Sequence, residues 1–291
     1  MFDWDDLRIF LAVARARRMA PAARALAIDP TTIGRRIARL QEELGSPLFE
    51  TIGGERRLTE RGQTLLIHAE TIESAALAAA GEITGEAGRL SGQVRLSVAE
   101  GFATWILAPA LPEFHRANPA IQLDLITASG FLNPSRREAD IAVMLARPRR
   151  GRLVAAKLGD YRLRLYASQT YLHDRPAPAA LDDLAGHDLI GYVPEFIYSP
   201  ELDYLGEIGA GLEPVARSTS INVQHRMIAN GAGIGILPAF MGDRDAGLVP
   251  LLVGEIELSR SFWLVTHSDT RQLPRIEAVV RWLRQCSAGL G

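Results

Sequence analysis

The chain is short of cysteine, lysine and aromatic side chains, and it lacks any long apolar run. Cys286 is the lone cysteine in 291 residues, which excludes an internal disulfide framework and a zinc site built on thiolates. Lys157 is the lone lysine, so nearly all positive charge is arginine; GC-rich coding produces that bias as readily as arginine chemistry does. No uninterrupted apolar stretch approaches the roughly 18 residues a membrane helix needs, so no membrane partner is expected. The segment Met1-Phe2-Asp3-Trp4-Asp5-Asp6 is acidic where an export signal is basic and then apolar, so a cytoplasmic location is expected. The six histidines show no His-Glu-x-x-His spacing, and there is no Gly-x-Ser-x-Gly elbow. The expectation is therefore no enzyme, no metal and no cofactor.

What is present is ordinary globular material: 47% hydrophobic and 23% charged residues, in a chain long enough for two domains. The net charge of -2 means that affinity for nucleic acid must come from a local patch. Such a patch exists. Between Arg15 and Arg61 ten arginines stand against six acids.

Three helical patterns fill that region. The first runs from Trp4 to Ala16, with Leu7, Phe10, Leu11 and Ala14 on one face. The second runs from Pro21 to Leu26, and Ala22, Ala23 and Ala25 allow a neighbouring helix to come close. The third begins after Asp29, a suitable N-cap, with Pro30 next, and ends at Gly45. Ile33, Ile37, Leu40 and Leu44 form its buried stripe. Thr31, Thr32, Arg35, Arg36 and Arg39 lie off that stripe. Hydroxyls near a helix start and arginines along its wet face suit a major groove, where Arg takes phosphate or the guanine edge. Taken alone, the same helix also reads as a solvated amphipathic element. Its neighbourhood decides: Ile52-Gly53-Gly54-Glu55-Arg56-Arg57-Leu58 predicts a hairpin whose return arm sets Arg56 and Arg57 against a phosphate backbone.

These residues bring the chain to a known family. Leu7-Arg8-Ile9-Phe10-Leu11-Ala12-Val13-Ala14, Ala22-Ala23-Arg24-Ala25-Leu26, Ile33 to Gly45, Leu48-Phe49 and Leu58-Thr59-Glu60-Arg61-Gly62 follow one another in the order and spacing of a winged helix-turn-helix. The chain resembles the LysR-type transcriptional regulators. It departs from their usual pattern at Asp29-Pro30, where Ser-Gln is frequent, at Gly34, where Ser is frequent, and at Arg18-Met19-Ala20, where a Ser or Thr cap is usual. These differences bear on which operator is read. Residues 1–58 are thus expected to be the DNA-binding domain.

From Thr59 to about Ala87 one proline-free helix carries Leu65, Ala69, Ile72, Ala76, Ala79 and Ile83 at spacings of three and four. Such a stripe suits pairing with a second copy or packing on its own chain; the resemblance implies a dimerisation helix, here residues 59–90. After it, strands and helices alternate, the signature of a sheet covered by helices. The resemblance implies a two-lobed periplasmic-binding-protein-like (type 2) α/β domain over 91–291, with lobe I at about 91–160 and 266–291 and lobe II at about 161–265. Gly231-x-Gly233-x-Gly235 follows a helix and opens a strand, the reverse of a nucleotide loop, so close strand entry is its expected role.

Small molecules bind such folds between the lobes, beyond the carboxyl ends of strands. The candidate effector residues are Glu100, Phe102, Thr104, Ser129, Phe131, Phe196, Ser220 and Asn222. Members of the resembled family commonly place Ser or Thr in the first of these loops to take an effector carboxylate; here Glu100 stands beside Phe102. A less acidic ligand follows, bearing an amine or hydroxyls and an apolar part, unless Glu100 points to solvent and merely caps the next helix. The overall expectation is a ligand-responsive regulator that binds double-stranded DNA and a small-molecule effector as a homo-oligomer, dimer or tetramer. The alternative is a solute-binding protein with no DNA role.

Overall fold

Asp3 opens helix α1 (Trp4–Ala16) by accepting the Asp5 amide at 3.0 Å, and Asp5 and Asp6 place negative charge against the helix dipole. The computed structural model describes residues 3–84, 90–127, 139–148, 153–256, 258–268 and 270–290. Helix α2 (Met19–Leu26) starts two residues before Pro21. The proline sits third, where the missing N–H has no helical acceptor to lose. Helix α3 (Pro30–Glu43) is capped by Asp29, whose carboxylate accepts the Thr31 amide. Strands β1 (Phe49–Ile52) and β2 (Glu55–Leu58) pair antiparallel around Gly53 and Gly54, both at positive φ as a two-residue primed turn requires. Thr59 then receives the Gly62 amide on its hydroxyl at the start of α4 (Glu60–Thr84).

These elements share one core. Leu7, Phe10, Val13, Ala22, Ile33, Ile37, Leu40 and Phe49 are buried together, and the rings of Phe10 and Phe49 lie 5.3 Å apart. Ala69 is part of the same core, with Leu65 and Leu66 packed against it, so the first turns of α4 serve their own unit. Contacts within the chain delimit this unit as Met1–Leu90 and a second as Ser91–Gly291.

The second unit is built on a mixed nine-stranded sheet, ordered β4-β3-β5-β11-β6-β9-β7-β8 with β10 also on β6. In chain order it runs β3 (Gly92–Val98), α5 (Glu100–Phe102), a π-turn (Ala103–Leu107), α6 (Ala108–Ala117), β4 (Ile121–Ile126), β5 (Ile141–Met144) and β6 (Leu153–Ser168). Then come α7 (Gln169–His173), β7 (Leu189–Gly191), α8 (Tyr204–Ile208), β8 (Pro214–Arg217), α9 (Ile221–Ala229), β9 (Ile234–Pro238), α10 (Ala239–Gly242), β10 (Leu248–Leu251), β11 (Leu258–His267) and α11 (Pro274–Ser287). Strands β3, β4 and β5 are mutually parallel on one side, and β7, β8 and β9 on the other. Antiparallel β6 and β11 join the two halves. Strand β6 is long because its first part pairs with β11 while its last part pairs with β9 and β10.

The glycine run lies where strand entry needs it. Gly233 has φ +157, and a Cβ there would lie 2.2 Å from the Asp188 carbonyl oxygen. The Ile234 amide donates to that same carbonyl at 2.8 Å. Gly233→Ala is expected to lower the stability of the second unit by about 2 kcal/mol or more, since both backbones must shift. Chemical denaturation checks this, and an unchanged midpoint would show that the glycines have another purpose.

Candidate functional site

The exposed residues of α3 are Pro30, Thr31, Arg35, Ala38, Arg39, Glu42 and Glu43, with Thr32 half-buried. Not every expected contact residue is free on it. The Thr31 hydroxyl donates to Asp29 at 2.5 Å and so completes the cap. Arg36 turns towards α1: its Nε donates to Asp6 and one Nη to Asp5, each at 2.5 Å, and the other Nη to Asp3 at 2.9 Å. Arg39 adds a bond to the second Asp6 oxygen at 2.6 Å. Asp6 is only 1% exposed, so its charge needs those two guanidinium groups. Burial draws the Arg36 pKa down, but Asp6 and Asp5 outweigh it and hold the group above its ordinary value. Partial burial likewise raises Asp5, yet Arg36 and Arg8 leave it below the usual carboxylate range.

Among the described residues Arg35 has no ion-pair partner, which distinguishes it from Arg36 and Arg39. On the hairpin, alternation along β2 sends neighbouring side chains to opposite faces, leaving Arg57 exposed and Arg56 half-buried. The Arg56 amide donates to the Arg17 carbonyl at 2.9 Å and ties the hairpin to the end of α1. Sequence reasoning missed the α1–α3 acid cluster. Its signal is the run of acids at Asp3, Asp5 and Asp6, which supplies partners for a basic helix.

The second unit holds a narrow cleft between its halves. Glu100 and Phe102 line it together with Thr127, Thr219 and Ile221. Glu100 does not point away to solvent: one of its carboxylate oxygens accepts the Ser220 hydroxyl at 2.9 Å. Ser220 in turn caps α9 by accepting the Val223 amide. The position at that helix start where an anion is welcome is therefore served by the chain's own carboxylate.

Thr104 and Asn222 stand at the rim rather than among the lining residues. Asn222 donates to the Thr104 hydroxyl at 3.0 Å and accepts from the Trp105 indole at 2.9 Å. Pro109 has no N–H to offer the Trp105 carbonyl four residues back, and Arg244 donates there instead at 2.6 Å. The Trp105 ring also meets buried His225 edge-on at 4.8 Å. Burial pushes that imidazole below its ordinary pKa, against the pull of Asp245. Phe196 is 65% exposed and does not line the cleft; the 3-10 turn Pro194–Phe196 carries it outward. Ser129 and Phe131 lie outside the described residues.

Sequence reasoning also missed the aromatic lining. Tyr161, Tyr192, Tyr198 and Tyr204, four of the chain's six tyrosines, converge on the cleft with Phe240 and Phe262. Tyr161 stacks on Phe262 at 4.3 Å, and Phe102 tilts onto Phe262 at 4.7 Å. The Tyr192 and Tyr204 rings meet edge-on at 5.7 Å. Burial lifts the pKa of Tyr161 and Tyr192 well above a free phenol. Partial burial and the Glu100 charge push Tyr198 up to about 12. The signal in the sequence was the crowding of those tyrosines between 161 and 204.

Comparison with known proteins agrees with this geometry. Residues 4–63 match the family described as bacterial regulatory helix-turn-helix protein, lysR family, and residues 87–287 match the LysR substrate binding domain. The Mau operon transcriptional activator of Paracoccus denitrificans is 31% identical over 96% of this chain and 95% of its own length. The structure of CrgA, a LysR-type regulator from Neisseria meningitidis, superposes with a TM-score of 0.63 at 26% identity, covering 99% of this chain and all of that one. A full-length OxyR variant from Pseudomonas aeruginosa shares the fold, with a TM-score of 0.68 at 16% identity over 100% of this chain and 96% of that one. The chain belongs to the LysR-type transcriptional regulators: an amino-terminal helix-turn-helix joined to an effector-binding domain. The alternative of a stand-alone solute-binding protein is set aside by the match over 4–63.

Arg36→Ala is expected to destabilise the amino-terminal unit by roughly 2 to 4 kcal/mol, because it strips three charged bonds from the acid cluster. Arg35→Ala should leave stability within about 0.5 kcal/mol. Thermal unfolding of the two variants side by side separates strut from surface; equal losses would contradict the distinction.

Proposed function

We propose that the chain is a cytoplasmic, non-enzymatic regulator that reads a two-fold operator as a homodimer or tetramer and answers to a small molecule held between the halves of its second unit. The observation that carries this reading is the division of labour on α3. Arg36 is held by α1, while Arg35 is left on the open face with Arg57 exposed on the hairpin, giving cations a phosphate backbone or guanine edge can take. Residues 1–58 act as the DNA-binding head, and 59–90 as the pairing helix. Pairing is supported by Ile72, 38% exposed, and Ala76, also exposed, beyond the turns of α4 that cover their own core. Residues 91–291 act as the sensor, lobe I at about 91–160 and 266–291 and lobe II at about 161–265; a ligand that prefers one arrangement of the lobes shifts the placement of the heads. The cue is a ligand rather than an oxidant. The lone thiol, Cys286, is pushed up to about 11 by burial, with Glu113 adding to the rise, so little thiolate is present at neutral pH.

Gel shifts test the DNA reading on a fragment that the protein enriches from its host genome. Arg35→Ala is expected to weaken binding about tenfold or more, and the slope of log affinity against log salt to fall by about 0.9 for each phosphate no longer neutralised. Unchanged affinity would remove α3 from the groove. For assembly, Ile72→Asp is expected to halve the mass seen by analytical ultracentrifugation, and retention of the wild-type mass would place the pairing surface elsewhere.

A further inference from the structure

The cleft has a one-sided electrostatic character. Among its described lining residues Glu100 is the sole carboxylate, and no arginine, lysine or histidine lines it. Around that carboxylate stand four phenol rings and three phenylalanines, Phe102, Phe240 and Phe262. The phenols stay neutral at physiological pH, because burial raises Tyr161, Tyr192 and Tyr204 and holds Tyr198 at about 12. Arg260 lies behind Tyr204, 5.9 Å from its ring centre, but one Nη is bonded to Glu207 at 2.5 Å and the group does not line the cavity. Glu100 already serves the start of α9 through Ser220, so an incoming carboxylate would meet like charge there and find no described cation to offset it. Aromatic faces attract cations, and a carboxylate beside them adds a charge-assisted bond.

Resting on the reading of this cleft as the effector site, we propose that its ligand is an organic monocation, a protonated amine carrying a short apolar or aromatic body. The ammonium group bonds to the Glu100 carboxylate, and the body lies among the Tyr198, Tyr204, Phe240 and Phe262 rings. Carboxylate and neutral isosteres are rejected because Glu100 repels the first and leaves the second without a charge to pair.

Two size-matched sets of probes test this by isothermal titration of the full chain at pH 7: benzylammonium, benzyl alcohol and benzoate, and the smaller propylammonium, propanol and propionate. The expected result is that the ammonium member of at least one set binds ten or more times tighter than its alcohol and its carboxylate. Glu100→Gln, which keeps a side chain able to accept the Ser220 hydroxyl, should erase that preference. Tyr198→Leu at the partly exposed rim should weaken ammonium binding several-fold, with far-UV circular dichroism confirming that both variants fold. A tighter carboxylate, abolished by Ile221→Asp, overturns the cation and keeps the cleft as effector site. Ammonium binding indifferent to Glu100→Gln, Tyr198→Leu and Ile221→Asp alike overturns the cation and the cleft together. No binding by any of the six probes also overturns the cation, and leaves the DNA reading to its own gel-shift test.

Discussion

Strand β6 runs antiparallel to β11 from the Leu258–Leu163 pair to the His267–Leu153 pair, and the second unit depends on that ladder. One end of β6 carries β9 and β10; β11 carries β5. Each half-sheet is therefore hydrogen-bonded, directly or through one neighbour, to the same two strands. A register shift between Phe262 and Trp263 marks the passage from one half to the other. Tyr161 and Phe262, which form the floor of the cleft, sit on these strands beside that irregularity. The floor is thus anchored in continuous backbone hydrogen bonding while the walls come from separate halves. Any rearrangement of the walls would have to bend about the shared strands, the hinge type of domain motion.

The rim of the cleft obeys a similar economy of polar groups. Glu100, Thr104 and Trp105 on one side meet Ser220, Asn222 and Arg244 on the other. These bonds satisfy groups that would otherwise face the cleft unpaired, and Pro109 makes the Arg244 bond useful by withholding an N–H from the Trp105 carbonyl. A ligand bound to Glu100 as proposed would compete with the Ser220 hydroxyl, so its recognition and the bridge across the cleft would draw on the same carboxylate.

Much of this was legible from sequence, and unevenly so. Helices α1 and α3 follow from their apolar period, and α3 also from Asp29 as its cap, because those signals are local and chemically distinct; the Asp3 cap of α1 came only with the structure. The start of α2 lies earlier than Pro21 suggests, since a proline looks like a first helical position but is tolerated anywhere in the first turn. The helical stretch after β3 begins at Glu100, and a π-turn over Ala103–Leu107 and prolines at 109 and 112 hide it from the apolar period. Glu100 and Phe102 are identifiable as lining residues from loop position alone, whereas Thr104, Ser220 and Asn222 form the rim. The tyrosine lining is hidden in the sequence, since Tyr161, Tyr192 and Tyr204 come from three elements that only the sheet topology brings together. Arg36 shows the converse limit. Its helical position is compatible with the wet face, and only the presence of Asp3, Asp5 and Asp6 across the helix pair assigns it inward.

That inward arginine has an evolutionary consequence. A residue that holds α3 against α1 is constrained by folding, so on the proposed reading of α3 it offers little freedom for new recognition. Thr32, Arg35 and Ala38 carry no such duty in the hydrogen-bond network described. Divergence in target choice among copies of this architecture would accumulate at those three positions and at the hairpin tip, while the guanidinium beneath them stays put.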